Sequence, residues 1–495
     1  MSSSCRFRSL SSCLVLIALA PRVAQATWSI QITDTRTGEV ALGAATCLPK
    51  VDLKTLLGVV VVGTGTGATQ ASLPPGSYRK LLFQELLKGT PPYLIIDLMQ
   101  DLSGHDEDRQ FGIADMQRRA ATFTGKNTIP WAGGRTGRVG TMTYSVQGNI
   151  MVAEAVIAAA EFALIHTKGD VADKLMAGME AARAQGGDSR CTPYNKSAHV
   201  GFMIVARMGD IDAPCANGSD CATGTYYLAL DAIGGIPDRD PVLTLGDDFK
   251  KWRTSWIGRP DHVQSVAAAE PQRIPADEQA TAQLDIALYD WQGVAIPHGG
   301  AAITVHHHPT SAGSCSIGTP VDHGDGTYSV PLAAGKIAGE DVFEVVVDDG
   351  VSPVTLFPYP SIEVGSALRL RSDVTQVSAS LGDDAHFVLQ GSTPFAGRSY
   401  LLLLSASGTT PGFDDGQVHV PLNFDLTLQN SIMFANVPPL TNTRGALDGN
   451  ARASAALAPQ PGQLDPFVGA TLSFAYLTLA PEDFASEPVQ VLVVP

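Results

Sequence analysis

Trp28-Ser-Ile-Gln-Ile-Thr-Asp34, then Thr35-Arg-Thr-Gly38, then Glu39-Val-Ala-Leu-Gly-Ala-Ala-Thr-Cys47 is the stretch from which the rest of the chain can be read. Apolar and polar residues alternate before the turn, small and apolar ones return after it, and the pattern predicts a β-hairpin. Outward from it, Gly58-Val-Val-Val-Val-Gly63 predicts a short buried strand running into Thr64-Gly-Thr-Gly-Ala-Thr-Gln70. Apolar residues at helical spacing predict helices over Tyr78 to Lys88 and Tyr93 to Leu102, with Gly soon after each. Gln110 to Asp115 and Ala120 to Gly125 read as a strand pair. Met151 to His166 and Val171 to Gln185 read as two Ala-rich helices, and His199 to Arg207 and Thr225 to Asp231 as strands again. Such an order layers helices on antiparallel sheets.

Residues 258–275 turn to Pro, Ala, Gln and Glu and read as a linker after a first domain over 27–257. Helical periodicity then disappears. Short strands at regular spacing with Asp-Gly turns predict a β-sandwich over 276–363, and 366–495 reads as a further all-β domain. The chain is therefore expected to be multidomain, an α+β unit followed by two all-β sandwich domains.

The 495 residues are 44% hydrophobic and 17% charged, too apolar for disorder and enough for roughly two to four domains. A formal charge of −16 without any Lys/Arg cluster argues against nucleic acid or anionic lipid as partner. No apolar run reaches the roughly 18 residues of a membrane-spanning helix. Residues 1–26 carry Arg6 and Arg8, the apolar stretch Leu14 to Ala20 and the ending Ala24-Gln25-Ala26, the pattern of a secretory signal peptide. Cleavage after Ala26 removes three of the 33 Lys+Arg and no acid, leaving 30 against 49, a formal −19. Thr27 then begins the mature chain.

Cleavage leaves Cys47, Cys191, Cys215, Cys221 and Cys315, in a compartment where disulfides persist. Cys215-Ala-Asn-Gly-Ser-Asp-Cys221 encloses a turn and is the natural local bridge. Cys47 and Cys191 are candidates for a long-range one, with Cys315 left odd. Spacing alone does not fix connectivity.

Gly67-Ala-Thr-Gln70, Arg109-Gln-Phe-Gly112, Thr124-Gly125, Trp131-Ala-Gly133, Arg135-Thr-Gly137, Ser145-Val-Gln-Gly-Asn149, Gly186-Gly-Asp188 and Lys196-Ser-Ala198 follow one another after the opening Trp28-Ser-Ile. In this order they resemble the bacterial domain-of-unknown-function family 1028, across Thr27 to about Arg253. The resemblance implies an N-terminal-nucleophile hydrolase-like fold, a four-layer αββα sandwich, with no settled reaction. Residues 276–363 look like a bacterial immunoglobulin-like domain. The last unit resembles a β-rich C-terminal module of secreted proteins from some Gram-negative bacteria, which implies a secreted, periplasmic or cell-surface location.

By that resemblance Thr27 is the candidate nucleophile. Its α-amine, titrating near about pH 8, would act as base. Asn149 is a candidate oxyanion donor. Thr64, Thr69, Gln70 and Gln147 either line the pocket or satisfy buried backbone. Gly63-Thr-Gly-Thr-Gly67 lacks a P-loop Lys and reads as a strand-to-helix turn near the nucleophile, whose N–H groups could also serve an oxyanion. Asp34 and Asp188 fit turn or cap roles better than orientation of the amine. Cys47 fits a disulfide better than a thiol nucleophile. His306 and His308 share a strand face without a third ligand, and Asp106, Glu107 and Asp108 read as a solvated acidic loop. No cofactor or metal is expected. Two function classes stay open: a secreted hydrolase acting on an amide or peptide-like bond, and a non-catalytic exported surface or binding protein. In the first, the β-modules serve as spacers or as anchors to a surface or carbohydrate; in the second, the hydrolase-like fold is a relic.

Overall fold

The computed structural model describes residues 27–72, 74–102, 106–416 and 418–495; the expected signal peptide, 1–26, lies outside them. Contacts divide the chain into two units that meet between Ser255 and Trp256.

In the first unit the expected hairpin forms as β1 (Thr27–Asp34) and β2 (Glu39–Thr46). It is followed by α1 (Leu53–Leu57), β3 (Gly58–Val61), β4 (Gly65–Gln70), α2 (Gly76–Leu87) and α3 (Pro92–Gln100). Then come β5 (Gln110–Asp115), β6 (Ala120–Thr124), β7 (Gly133–Val139) and β8 (Met142–Asn149). The helices α4 (Ala155–His166) and α5 (Val171–Ala184), the strands β9 (Val200–Ala206) and β10 (Leu228–Ile233), and α6 (Pro241–Ser255) complete the unit.

The strands form two antiparallel sheets, ordered β10-β9-β2-β1-β8-β7 and β3-β4-β5-β6. The sheets face each other through β1, β8, β4 and β5, with α4 and α5 on the outside of the first and α2 and α3 on the outside of the second. This is the four-layer αββα sandwich. Period two explains the layering, because alternate β1 residues point to opposite faces. Trp28, Ile30 and Ile32 point to the helices, and a Cβ added at Gly178 of α5 would lie 2.9 Å from Ile30 Cδ1. On the other flank Leu82, Phe83 and Leu86 of α2 pack with Ile95 and Met99 of α3 over Val59, Phe111 and Ile113. Each such side chain contributes about 1.5–3 kcal/mol on burial.

Three expectations are corrected. Gly65–Gln70 is a strand, not a strand-to-helix turn, because its Gly and Thr residues pair on both sides, with β3 and with β5. Its N–H groups belong to those ladders rather than to an anion-binding loop. Asp106 is buried rather than solvated; its Oδ1 accepts from Tyr78 Oη at 2.9 Å. Finally, the stretch 258–275 is not a plain linker. Val266–Glu270 pairs with Thr281–Ala287, and Arg273–Pro275 pairs with Ser361–Gly365.

The second unit is all-β apart from one helix, Leu426–Met433, and short 3-10 turns among the described residues. Its first sandwich faces Thr281–Ala287 and Thr327–Ala333 against Gly339–Asp348 and Ala302–His307, with Leu284, Ile286, Val330, Phe343, Val345 and Val347 inside. Its second closes around Leu389, Phe387, Leu402, Phe474, Tyr476 and Val491.

Cys47 is bonded to Cys191 and Cys215 to Cys221, while Cys315 is free and buried. The first bridge closes a separation of 144 residues, the second one of 6. In the chain-entropy account these loops contribute about 5 and about 2 kcal/mol respectively. Replacing Cys47 and Cys191 together by Ser should therefore lower the urea midpoint more than replacing Cys215 and Cys221.

A pH test follows from Asp212, whose Oδ2 accepts the Val62 N–H at 2.9 Å beside the β3–β4 turn. Burial, reinforced by Asp210, pushes its carboxyl up to about 6. A carboxyl raised in the folded state stabilises fully below about pH 4, and that contribution is lost as pH rises through 6. Asp212→Asn keeps the acceptor and removes the titration. Its urea midpoint should fall less than that of the parent between pH 4.5 and 7.

Candidate functional site

The face of β1 that turns away from the helices carries Thr27, Ser29, Gln31 and Thr33. Opposite them in register on β8 stand Asn149, Gln147, Ser145 and Thr143. All eight are polar, and all are buried against the second sheet. Buried polar groups need partners; Ser29, Ser145, Gln147 and Asn149 find them within this layer, whereas Gln31 Nε2 and Thr143 Oγ1 have none among the described residues.

Thr27 begins β1, which is central in its sheet. Its backbone N donates to Asn149 Oδ1 at 3.2 Å, and its carbonyl accepts from Gln70 Nε2 at 3.0 Å. Gln70 Nε2 also donates to Gln110 Oε1 at 2.8 Å, and Ser29 Oγ donates to Gln70 Oε1 at 2.7 Å. Gln110 Nε2 reaches across to the carbonyls of Gly148 and Gly133, at 3.0 and 3.2 Å, and to Thr124 Oγ1 at 2.9 Å. Gln147 Nε2 donates to Ser29 Oγ and Gln31 Oε1, while its Oε1 accepts from Ser145 Oγ at 2.8 Å. The amides thus tie both sheets together at the end where Thr27 stands.

Backbone strain gathers at the same end. Ile150, directly after Asn149, has φ +56°, and Ala71 and Ser72, directly after Gln70, have φ +58° and +47°. The left-handed region is unfavourable for residues with a Cβ and especially for a β-branched one. Ile150 is held there by its N–H to the Ile129 carbonyl and by Ser189, whose N and Oγ both donate to its own carbonyl. Strain held in this way clusters at functional sites.

Four of the six residues singled out from the sequence therefore converge: Thr27, Gln70, Gln147 and Asn149. The other two do not. Thr64 stands at the opposite end of β4, six residues or roughly 20 Å from Gln70, where its Oγ1 donates to the Val62 carbonyl. Thr69 shares a strand face with Gly67, whose added Cβ would meet Leu82 of α2, so it points to the helix layer. Asp34 lies at the far end of β1 and accepts from the Arg36 N–H in the turn. Asp188 caps the 3-10 turn Ser189–Tyr194, and its Oδ2 accepts from the Cys47 N–H at 2.8 Å. Both Asp residues are turn and cap residues. Of the three consecutive histidines His306 to His308, His307 rather than His306 or His308 meets a carboxylate, Asp341, at 2.8 Å. Gln110 was missed. Its position in Arg109-Gln-Phe-Gly112 was the available signal, but β5 reads as an ordinary buried strand.

The close approach of the sheets sets a sharp requirement at Gly112, where an added Cβ would lie 2.1 Å from the Gln147 amide. Gly112→Ala should cost about 1–3 kcal/mol by overpacking. Gly449→Ala, with open space around its Cβ, should leave the melting temperature within error.

Residues 27–217 match the model of a family of unknown function (DUF1028), and residues 261–356 match that of invasin domain 3. A solved structure of the same family, from Silicibacter pomeroyi, is 19% identical over 46% of this chain and 85% of its own, with a TM-score of 0.37. Invasin, a bacterial integrin-binding protein, is 13% identical over 60% of this chain and 46% of its own (TM-score 0.21). The Yersinia pseudotuberculosis adhesin InvE is 16% identical over 46% and 58% (TM-score 0.20). The chain thus spans about half the length of these two adhesin structures. No curated protein matches it. The first unit accordingly carries a DUF1028 domain, and an invasin-like immunoglobulin-like domain and a further β-rich region follow it.

Proposed function

We propose that the chain is an exported surface protein in which β-sandwich modules present the N-terminal αββα domain to a binding partner. The observation that carries this reading is the succession of domains, a match to an invasin domain at 261–356 directly after the α+β unit. Two disulfides support it, since such bonds persist outside the cytoplasm. The Arg-led apolar pattern of residues 1–26 supports it as well. Antibodies against residues 27–217 should label intact cells, and external protease should remove the signal without lysis. Labelling only after lysis would overturn the reading.

One observation favours a second reading, hydrolysis of an amide or peptide-like bond: two buried amides grip Thr27, Asn149 at its nitrogen and Gln70 at its carbonyl. If the chain is cut after Ala26, that nitrogen becomes the α-amine, with Asn149 Oδ1 as its orienting acceptor. The Thr27 hydroxyl oxygen then bonds to the substrate carbonyl carbon while the amine takes its proton. The amine passes that proton to the leaving nitrogen as the amide bond breaks, and water hydrolyses the resulting ester. This assigns Asn149 to positioning rather than to the oxyanion. Threonine-reactive probes should label the mature chain, and both Thr27→Ala and an extra residue before Thr27 should abolish labelling. Equal labelling of the extended form, or a mature N-terminus elsewhere, would eliminate the hydrolase.

A further inference from the structure

Within the second unit the chain passes from the first sandwich to the next through Gly365-Ser-Ala367, and a recess of 240 Å³ opens there. Arg273, Arg369, Ser366, Gln390 and Ser392 supply its polar lining. An outer compartment of 540 Å³ shares Arg273, Gly365, Ser366 and Arg369 with it and adds Arg371, with Glu340, Glu363 and Glu487 also in its lining. We propose that this recess binds a carboxylated sugar residue of a surface glycan.

The recess is built before any ligand arrives. Ser392 Oγ donates to Asp277 Oδ2 at 2.7 Å, which fastens the second sandwich to the first, and the Ala276 N–H donates to the Gly365 carbonyl at 2.8 Å within the first. Gly365 leaves room for the Arg273 guanidinium, which would lie only 3.3 Å from a Cβ added there. Arg273 is paired with Glu363 at 3.1 Å.

Ser366 Oγ donates to the Leu368 carbonyl at 2.7 Å, and the other donors are uncommitted. Arg369 and Arg371 point from one face of the strand Leu368–Ser372, and among the described residues neither makes an ion pair. Gln390 stands opposite Arg369 in register, and its side-chain amide has no hydrogen bond among the described residues. Two unpaired guanidiniums beside a free amide are conspicuous in a chain of net charge −16.

The ligand class follows from these groups. A guanidinium matches a planar carboxylate with two parallel hydrogen bonds. The Gln390 amide and the oxygens of Ser366 and Ser392 suit sugar hydroxyls. The volume falls just below the about 300–1,000 Å³ of drug-sized pockets, the scale of one ring. An extended acidic peptide is disfavoured because Ile274 and Ala367, at 3% and 6% exposure, offer its side chains no open apolar surface. Nucleic acid is disfavoured by the overall charge and by the lack of stacking aromatics in the lining.

The proposal rests on the surface-protein reading for its biological setting but can be tested apart from it. Calorimetry on the full mature chain would use trigalacturonate, neutral galactotriose and pentaglutamate. Trigalacturonate should bind and galactotriose should not. Arg369→Gln should weaken uronate binding at least tenfold and Arg371→Gln about threefold. Both side chains are exposed, so melting temperatures should not move. Absence of uronate binding, undiminished binding by Arg369→Gln, or equal binding of pentaglutamate would overturn the proposal. A protein displayed on cells that ignores uronate removes this inference alone; uronate binding by a protein never found outside the cell removes only the surface reading.

Discussion

The polar layer between the two sheets of the first unit is the constraint on which its other features depend. β1 and β8 are buried on both faces, yet only one face of each is apolar. A buried amide without a partner costs about 1–3 kcal/mol, so a layer of Thr, Ser, Gln and Asn is tolerable only when its members bond to one another. Gln70, Gln110 and Gln147 meet that condition by reaching across strands and between sheets. A one-residue slip of β1 against β8 would place Trp28 and Ile30 inside this layer and leave the amides among helices. The network therefore specifies register as well as cohesion. It also requires the sheets to be close, which Gly112 and Gly134 allow by presenting no side chain.

From this follows an asymmetry between the ends of the sandwich. At the Thr27 end, the network, the strained residues Ile150, Ala71 and Ser72, the Asp188 cap and the Cys47–Cys191 bond all hold backbone in fixed positions. Cys47 follows β2, the partner of β1, and its N–H is bound to Asp188, so the disulfide and the cap fasten the same two segments. At the opposite end stand hairpin turns with local hydrogen bonds, such as those of Thr64 and Asp34. Rigid positioning on one side only is the arrangement a binding or reacting centre needs.

The second unit solves burial differently. Its strands alternate apolar and exposed residues, as Thr281–Ala287 shows, and its cores are free of amide networks of this kind among the described residues. Its polar chemistry lies where the sandwiches adjoin, through Asp277 and Ser392. Such junctions leave recesses that neither module would contain alone.

The sequence by itself determined the β1–β2 hairpin, the helices α2 to α5, the β-rich rhythm beyond the first unit and the local Cys215–Cys221 bridge. These rest on local signals: periodicity, turn residues and a short enclosed loop. Tertiary structure alone decided which face of each strand meets which layer. Thr69 and Gln70 are neighbours in sequence and point into different layers. Gly65 to Gln70 has the composition of a loop and becomes a strand because β3 and β5 pair with it on both sides. Val266–Glu270 reads as a linker and becomes a strand for the same reason. The alternating polar residues of β1 have the pattern of a solvated face, and only a second sheet, 41 residues away at the Ser29–Gln70 contact, turns them into an interior. Local pattern states that one face differs from the other; what each face is buried against depends on partners distant in the chain.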